Sequence, residues 1–217
     1  MGARNSRLTL LLQLAGTLVI LLCVPGTLLQ TLLLFILWAG TFYPLSRADA
    51  VLFLTACLFY TVADIAVVQR GVFRFSHADF FGLPYYEPFM WGFYFLHAKR
   101  MLGGALPRRL LPGIVLTVTV AATATLVSDT FVSAVLIGIE LGVALFLFHT
   151  KTDFRYILYL AALGVIVEAL GTATGQWSYG VPYYVLWWVV TWSASGLILY
   201  RTGLPLAAAI ATRFRTT

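Results

Sequence analysis

Apolar positions fall into eight runs along the chain, near residues 8–24, 27–43, 50–69, 80–98, 109–127, 130–148, 155–173 and 183–201. Each is close to the ~20 residues with which a helix crosses ~30 Å of hydrocarbon. Short polar segments separate the runs, and the longest, Gln69 to Leu83, follows the third. The fourth run is the least regular, because Pro84, Glu87 and Pro88 interrupt its start. After the eighth, Leu204 to Ile210 with Arg213 and Arg215 reads as a basic amphipathic stretch at the membrane surface.

The pattern repeats. Asp64 is followed after seven, nine and eleven residues by Gly71, Phe73 and Phe75, and Glu168 at the same spacings by Gly175, Trp177 and Tyr179. Asp49 and Asp153, ahead of the two acidic helices, share the same offset of 104 residues. Pro84, Tyr85 and Tyr86 recur as Pro182, Tyr183 and Tyr184, and Leu106 and Pro107 as Leu204 and Pro205, now 98 residues apart. One gap of six residues reconciles the two offsets. The expected fold is an all-α membrane protein of about eight transmembrane helices, built from two four-helix repeats, 1–104 and 105–208, with 209–217 as a basic interfacial tail. An even number of spans per copy makes the repeats parallel, related by a pseudo-two-fold axis along the membrane normal.

Composition and charge agree with that picture. The chain is 61% hydrophobic and only 10% charged, far from the balance of a soluble domain. With the N-terminus cytoplasmic, all basic residues except Arg70 and Arg74 fall in inner segments: Arg4, Arg7, Arg47, Lys99, Arg100, Arg108, Arg109, Lys151, Arg155, Arg201, Arg213 and Arg215. Seven spans would scramble that distribution, whereas eight place both termini inside. The net charge of +6 is then topology and contact with anionic lipid, not a nucleic-acid footprint. No small-residue cleavage motif stands at Val24, Pro25 and Gly26, so the first run is expected to remain as a span. Met1, Gly2 and Ser6 also fit an N-myristoylation pattern. Cys23 and Cys57 lie within runs and form neither a disulfide framework nor a metal-like spacing.

The chemistry is expected from acids within spans, since such residues are expensive to insert and mark function. Asp64, Glu87 and Glu168 come from three spans and share the outer third of the membrane, while Glu140 lies nearer its middle. An unpaired carboxyl group at that depth retains its proton, the more so with a second acid beside it. A neutral acid next to a carboxylate is equipped to protonate a double bond or to relay a proton. The alternative is structural, an acid bonded to Tyr or Trp or paired with Arg70 or Arg74. Ala161, Gly164, Glu168, Gly171 and Thr172 share a small-residue stripe, which turns Glu168 towards a neighbouring helix. Tyr60 or Thr61 is placed to bond Asp64. Aromatic residues crowd around the acids, and Tyr60, Phe75, Tyr86, Trp91, Trp177, Tyr179 and Trp188 are the candidates to contact a substrate. Their faces stabilise cations, although several fit an interfacial aromatic belt equally well. His77 and Asp79 offer too few ligands for a metal with Glu87, and His97 and His149 read as interfacial helix-end residues. No metal and no cofactor is expected.

The segment EALGTATGQWSY (168–179), followed by Pro182, resembles a stretch of bacterial integral-membrane carotenoid-modifying proteins, the carotenoid 1,2-hydratase-like and membrane lycopene cyclase-like families. A fainter likeness runs from Asp64 to Phe75. The paired Pro-Glu-Glu signature of lycopene cyclases is absent, with Glu87 and Pro88 standing nearest to it. The resemblance implies a bacterial plasma-membrane enzyme that protonates an isoprenoid alkene, with Glu168 as acid and Asp64 or Glu87 as its partner. A proton-coupled transporter and a non-catalytic lipid- or pigment-binding subunit remain as alternatives.

Overall fold

The structure, a computed structural model, describes residues 6–107 and 109–213. Met1, Gly2, Arg4, Arg108 and Arg215, which carry most of the myristoylation pattern and three inner charges, lie outside the described residues. So do the last four positions of the tail. The helices are α1 (Arg7–Cys23), α2 (Thr27–Phe42), α3 (Arg47–Gln69), α4 (Glu87–Leu102), α5 (Leu111–Leu126), α6 (Thr130–Leu147), α7 (Lys151–Ala173), α8 (Tyr184–Ile198) and α9 (Leu204–Arg213). A π-turn, Leu199–Gly203, joins α8 to α9, so that Tyr184–Arg213 forms one continuous rod of 30 residues.

Four of these rods are long and apolar enough to cross a membrane: α3, α6, α7 and the α8–α9 rod; α1, α2 and α5 are shorter apolar helices. Leu54, Leu58 and Val62 of α3 are each more than 60% exposed and share one face, which only a hydrocarbon surrounding makes favourable.

α3 and α7 begin and end alike. Ser46 and Thr150 cap them and exchange hydrogen bonds with Asp49 and Asp153 at the third helical position, two complete capping boxes. The two aspartates therefore belong to the first helical turns instead of preceding the helices. At the other ends Gly71 and Gly175 adopt φ of +73° and +71°, which lets the chain reverse and satisfy the last carbonyls.

Each of these helices packs against the one that follows. Gly92 of α4 presents no side chain to Phe53 and Cys57 of α3, and Gly196 of α8 lies directly on the backbone of Tyr156 and Ile157 of α7. α4 also meets α7, so the main core forms among α3, α4, α7 and α8. α1 packs with α2 and against α4, while α5 and α6 pack together and against α8.

Ion pairs close the N-terminal ends of α3 and α7. Lys99 Nζ lies 2.6 Å and Arg100 3.3 Å from Asp49, and Arg201 Nε lies 2.6 Å from Asp153. Arg201, which by position looked like an interfacial charge, is buried and also donates to the Phe148 carbonyl.

Three local expectations change. A two-stranded antiparallel ribbon, β1 (Phe73–Phe75) paired with β2 (Trp177–Tyr179), joins the C-terminal ends of α3 and α7, so the fold is not purely helical. The fourth run does not start a helix at residue 80. Phe81 and Gly82, both with positive φ, close a tight turn between Phe80 and Leu83, Asp79 accepts the Tyr85 N–H, and α4 starts only at Glu87 with Pro88 in its first turn. Finally, the surface-lying tail is the continuation of the last helix. Leu204, Ala207 and Ala211 bury one face of α9, which packs against α3. Pro205 lacks the N–H that would bond Arg201 in an α-helix, and the helix widens there, with Leu204 N–H reaching back to Leu199.

Candidate functional site

The half of the bundle nearer the ribbon holds a cavity of about 120 Å³. A water molecule occupies ~10–15 Å³ on this measure, so the space admits several carbons of a chain. Asp64, Glu87 and Glu168 all line it, as do Tyr60, Phe75, Tyr86, Trp91, Trp177, Tyr179 and Trp188. Every residue that the sequence singles out for catalysis or substrate contact therefore meets at one cavity. Glu140 does not: it sits on α6 and accepts a 2.7 Å bond from Thr123 Oγ1.

The three acids differ in their bonding. Glu168 is the acceptor of three side-chain donors, Trp177 Nε1 at 2.9 Å, Tyr179 Oη at 2.6 Å and Trp192 Nε1 at 3.1 Å. Asp64 accepts one, from Trp91 Nε1 at 3.0 Å. Neither Tyr60 nor Thr61 supplies it, because Tyr60 turns its ring flat against Trp91, 3.9 Å between centroids. No protein donor among the described residues reaches the Glu87 carboxyl group at the start of α4, beyond the reach of the indoles that serve the other two. Trp91 and Trp192 lie 4.6 Å apart, so an aromatic bridge connects the residue that binds Asp64 to one that binds Glu168.

The small-residue stripe of α7 makes this arrangement possible. A Cβ on Gly164 would lie 2.3 Å from the Trp192 ring, and one on Gly171 would lie 2.0 Å from the Trp177 ring. Both indoles rest on bare backbone, which brings their N–H groups to Glu168. The ribbon contributes the cavity's outer wall. Phe73, Phe75, Trp177 and Tyr179 face the cavity, while Arg74 and Ser178, at the alternate positions, are exposed. Burial, and then the Glu168 carboxylate, push the Tyr179 phenol well above the ordinary tyrosine range and hold it as a neutral donor.

Arg70 and Arg74 do not pair with the acids. Arg70 reaches across to α5, donating to the carbonyls of Ala124 (3.0 Å) and Val127, and so satisfies the end of that helix. The ion pairs of Asp49 and Asp153 lie at the other end of α3 and α7. From Asp49 to Asp64 is fifteen residues, about 22 Å of helix.

Tyr94, Trp192 and Met90 also line the cavity, and Tyr94 and Met90 were not anticipated. Tyr94 follows Glu87 by seven residues and Trp91 by three, a helical spacing that places it on their face. His97 is not interfacial. It is 2% exposed, and its Nδ1 lies 2.7 Å from Gln13 Oε1 and its Nε2 2.6 Å from Tyr159 Oη, tying α1, α4 and α7 together. Gln13 continues through Thr17 to the Trp38 indole. His149, by contrast, stays exposed at the end of α6.

No protein-family model matches the chain, and no curated protein matches it. Its fold is similar to that of the mycobacterial Insig homolog MvINS from Mycobacterium vanbaalenii, with 13% identity and a TM-score of 0.56 over 76% of this chain and 95% of that one. A cross-linked trimer of MvINS matches over the same shares at 14% identity and a TM-score of 0.56. At such identity the likeness is one of fold. Together with the apolar rods and their exposed hydrophobic faces, it makes this chain an integral membrane protein with an Insig-like helical fold.

Proposed function

We propose that this protein is an integral-membrane enzyme that protonates a double bond of a lipophilic isoprenoid or polyene and so initiates cyclisation or hydration. The observation that carries the reading is the meeting of three carboxyl groups, none with a cationic partner among the described residues, in one aromatic-walled cavity within the bundle. The resemblance of residues 168–179 to carotenoid-modifying proteins supports the substrate class.

The bonding pattern alters the roles expected from sequence. Glu168 has three donors directed at it, an arrangement suited to a carboxylate. Glu87 has none and can bear and release a proton without breaking a protein bond. Glu87 therefore supplies the proton to the alkene carbon, leaving a carboxylate and a tertiary cation. The cation rests against the indole faces of Trp91 and Trp188. Ring closure followed by loss of a proton, or addition of water followed by loss of a proton, discharges it. Glu168 or Asp64 accepts that proton, so the sequence consumes neither oxidant nor cofactor.

The test is a lipid and pigment profile by liquid chromatography–mass spectrometry of cells expressing the protein and supplied with linear polyenes. A product isomeric with the polyene, or heavier by one water, is expected. It disappears in Glu87→Gln and falls steeply in Glu168→Gln. An unchanged profile from well-folded wild-type protein sinks the reading. The three bonds to Glu168 also favour a second reading, a non-catalytic lipid-binding subunit in which Glu168 is a structural tie. That version binds the polyene without converting it, and Glu168→Gln then lowers stability and nothing else.

The proposal includes eight spans in two parallel repeats, with both termini at the cytoplasmic face of a bacterial plasma membrane. Equal lengths of 23 residues, matched capping boxes and matched terminal glycines in α3 and α7 support the repeat.

A further inference from the structure

Four buried side-chain polar atoms have no hydrogen-bond partner among the described residues: Tyr60 Oη, Tyr94 Oη, Trp188 Nε1 and Glu140 Oε2. The first three belong to residues that line the cavity, each less than 10% exposed. All three can donate; the Ser195 side chain, which donates to the Thr191 carbonyl, stands beside Tyr60 Oη without completing a bond to it. A buried donor left unmatched is costly, and native proteins rarely retain one without a reason. Three around one cavity indicate an acceptor that the protein itself does not provide.

Their position narrows the acceptor. Along α3, Tyr60 lies one turn inward of Asp64; along α4, Tyr94 lies two turns inward of Glu87. The two flank Trp91, Tyr60 stacked on it at 3.9 Å and Tyr94 edge-on at 6.1 Å, while Trp192 of α8 meets Trp91 at 4.6 Å and Tyr94 at 5.4 Å. The two phenols thus lie deeper along their helices than the acids, whereas Trp188, one turn into α8, stands nearer the level of the acids. Asp64, Glu87 and Glu168 disfavour a carboxylate or phosphate nearby. A cation or an N–H group meets only the two phenol oxygens as acceptors there and leaves their O–H groups and the Trp188 N–H unmatched. What remains is a neutral oxygen.

We propose that Tyr60 and Tyr94 form an oxygen-recognising end of the cavity that selects an isoprenoid alcohol, ketone or aldehyde over the plain hydrocarbon. The inference rests on the reading of the cavity as an isoprenoid site, and adds that the ligand carries oxygen on the end remote from the reacting alkene. The substrate then enters with its oxygen inward, which presents the far double bond to Glu87.

Quenching of tryptophan fluorescence measures binding to the full chain in lipid nanodiscs, with geranylgeraniol and the matching hydrocarbon that lacks the hydroxyl as probes. The alcohol should bind about tenfold more tightly, the effect of one to two net hydrogen bonds. Tyr60→Phe and Tyr94→Phe each remove one oxygen and keep the ring. The double variant should bind both probes with the hydrocarbon's affinity, and its thermal midpoint shows that it has folded. Equal binding of the two probes by the wild type overturns the inference and leaves the isoprenoid site standing. So does a preference for the alcohol that survives in the double variant. An equal weakening of both probes there assigns the donors to bound water, which also overturns it. If neither probe binds the wild type, the isoprenoid site falls and the inference with it.

Discussion

Gly171→Ala tests how the acid cluster is built. The new Cβ would lie 2.0 Å from Cζ2 and 2.1 Å from Cη2 of Trp177. Carbon atoms rest at ~3.5–4.0 Å, so the indole must retreat by roughly 1.5 Å. It cannot do so quietly, because β1 pairs with its backbone and its Nε1 donates to Glu168 at 2.9 Å. The same retreat carries that bond outside hydrogen-bonding range. Overpacking costs about 1–3 kcal/mol, and the lost bond costs about 1 kcal/mol more. Replacing a helical glycine by alanine returns about 1 kcal/mol. The net is a loss of about 1–3 kcal/mol. Gly142→Ala on α6 is the control: nothing lies within 4 Å of its Cβ, so only the helical gain remains. For a chain of this size ~1 kcal/mol moves the midpoint by roughly 2–4 °C. Scanning fluorimetry in detergent micelles should therefore show Gly142→Ala melting a few degrees above wild type and Gly171→Ala several degrees below it. If Gly171→Ala rises with the control, Trp177 does not rest on that backbone and the account of the cluster is wrong.

Arg201→Met strands the fully buried Asp153 carboxylate and should cost about 3–5 kcal/mol, whereas Asp49→Asn should cost less because its partner Lys99 is 30% exposed; the folded fraction on size-exclusion chromatography ranks the two. In a Cys23→Ala, Cys57→Ala background, Arg74→Cys should react with an impermeant maleimide on intact cells and Lys151→Cys only after permeabilisation, and the reverse pattern would refute the proposed orientation. The raised Tyr179 phenol contributes stability in full below the ordinary tyrosine value of ~10, and loses it as pH climbs from there towards the raised value. Alkaline melting curves of Tyr179→Phe should accordingly fall less steeply above pH ~10 than those of wild type.

The repeat of an acid, a glycine and two aromatic residues at fixed spacing locates both acidic helices, both chain reversals and the cavity wall. The same alternation, Phe73 with Phe75 and Trp177 with Tyr179, is a strand signal. Three residues are too few for that signal to stand out, and the partner strand lies about a hundred residues away. The convergence of Asp64, Glu87 and Glu168 follows from helix crossings that no local pattern encodes. Gly92 illustrates this: it lets α4 close onto α3, which brings Trp91 and not Tyr60 to Asp64. His97 looked interfacial because Lys99 and Arg100 follow it. Only the approach of Gln13 from α1 and Tyr159 from α7 explains its burial. Arg70 was weighed as a partner for the acids because charge is visible in a sequence, whereas the open carbonyls at the end of α5 are not.

The π-turn at Leu199–Gly203 holds one residue more than an α-helical turn would. It thereby sets the phase between the two ends of the rod. Removing a single codon there would set Pro205 inside an α-helical turn, where its ring meets the carbonyl four residues back, and would swing everything beyond it by ~100°. Leu204, Ala207 and Ala211 would leave α3 and face the acyl chains. Length variation among natural variants should therefore avoid this turn, although none of the three acids lies within it. In this protein a rotational offset, and not a side chain, is what joins Leu204–Arg213 to the core.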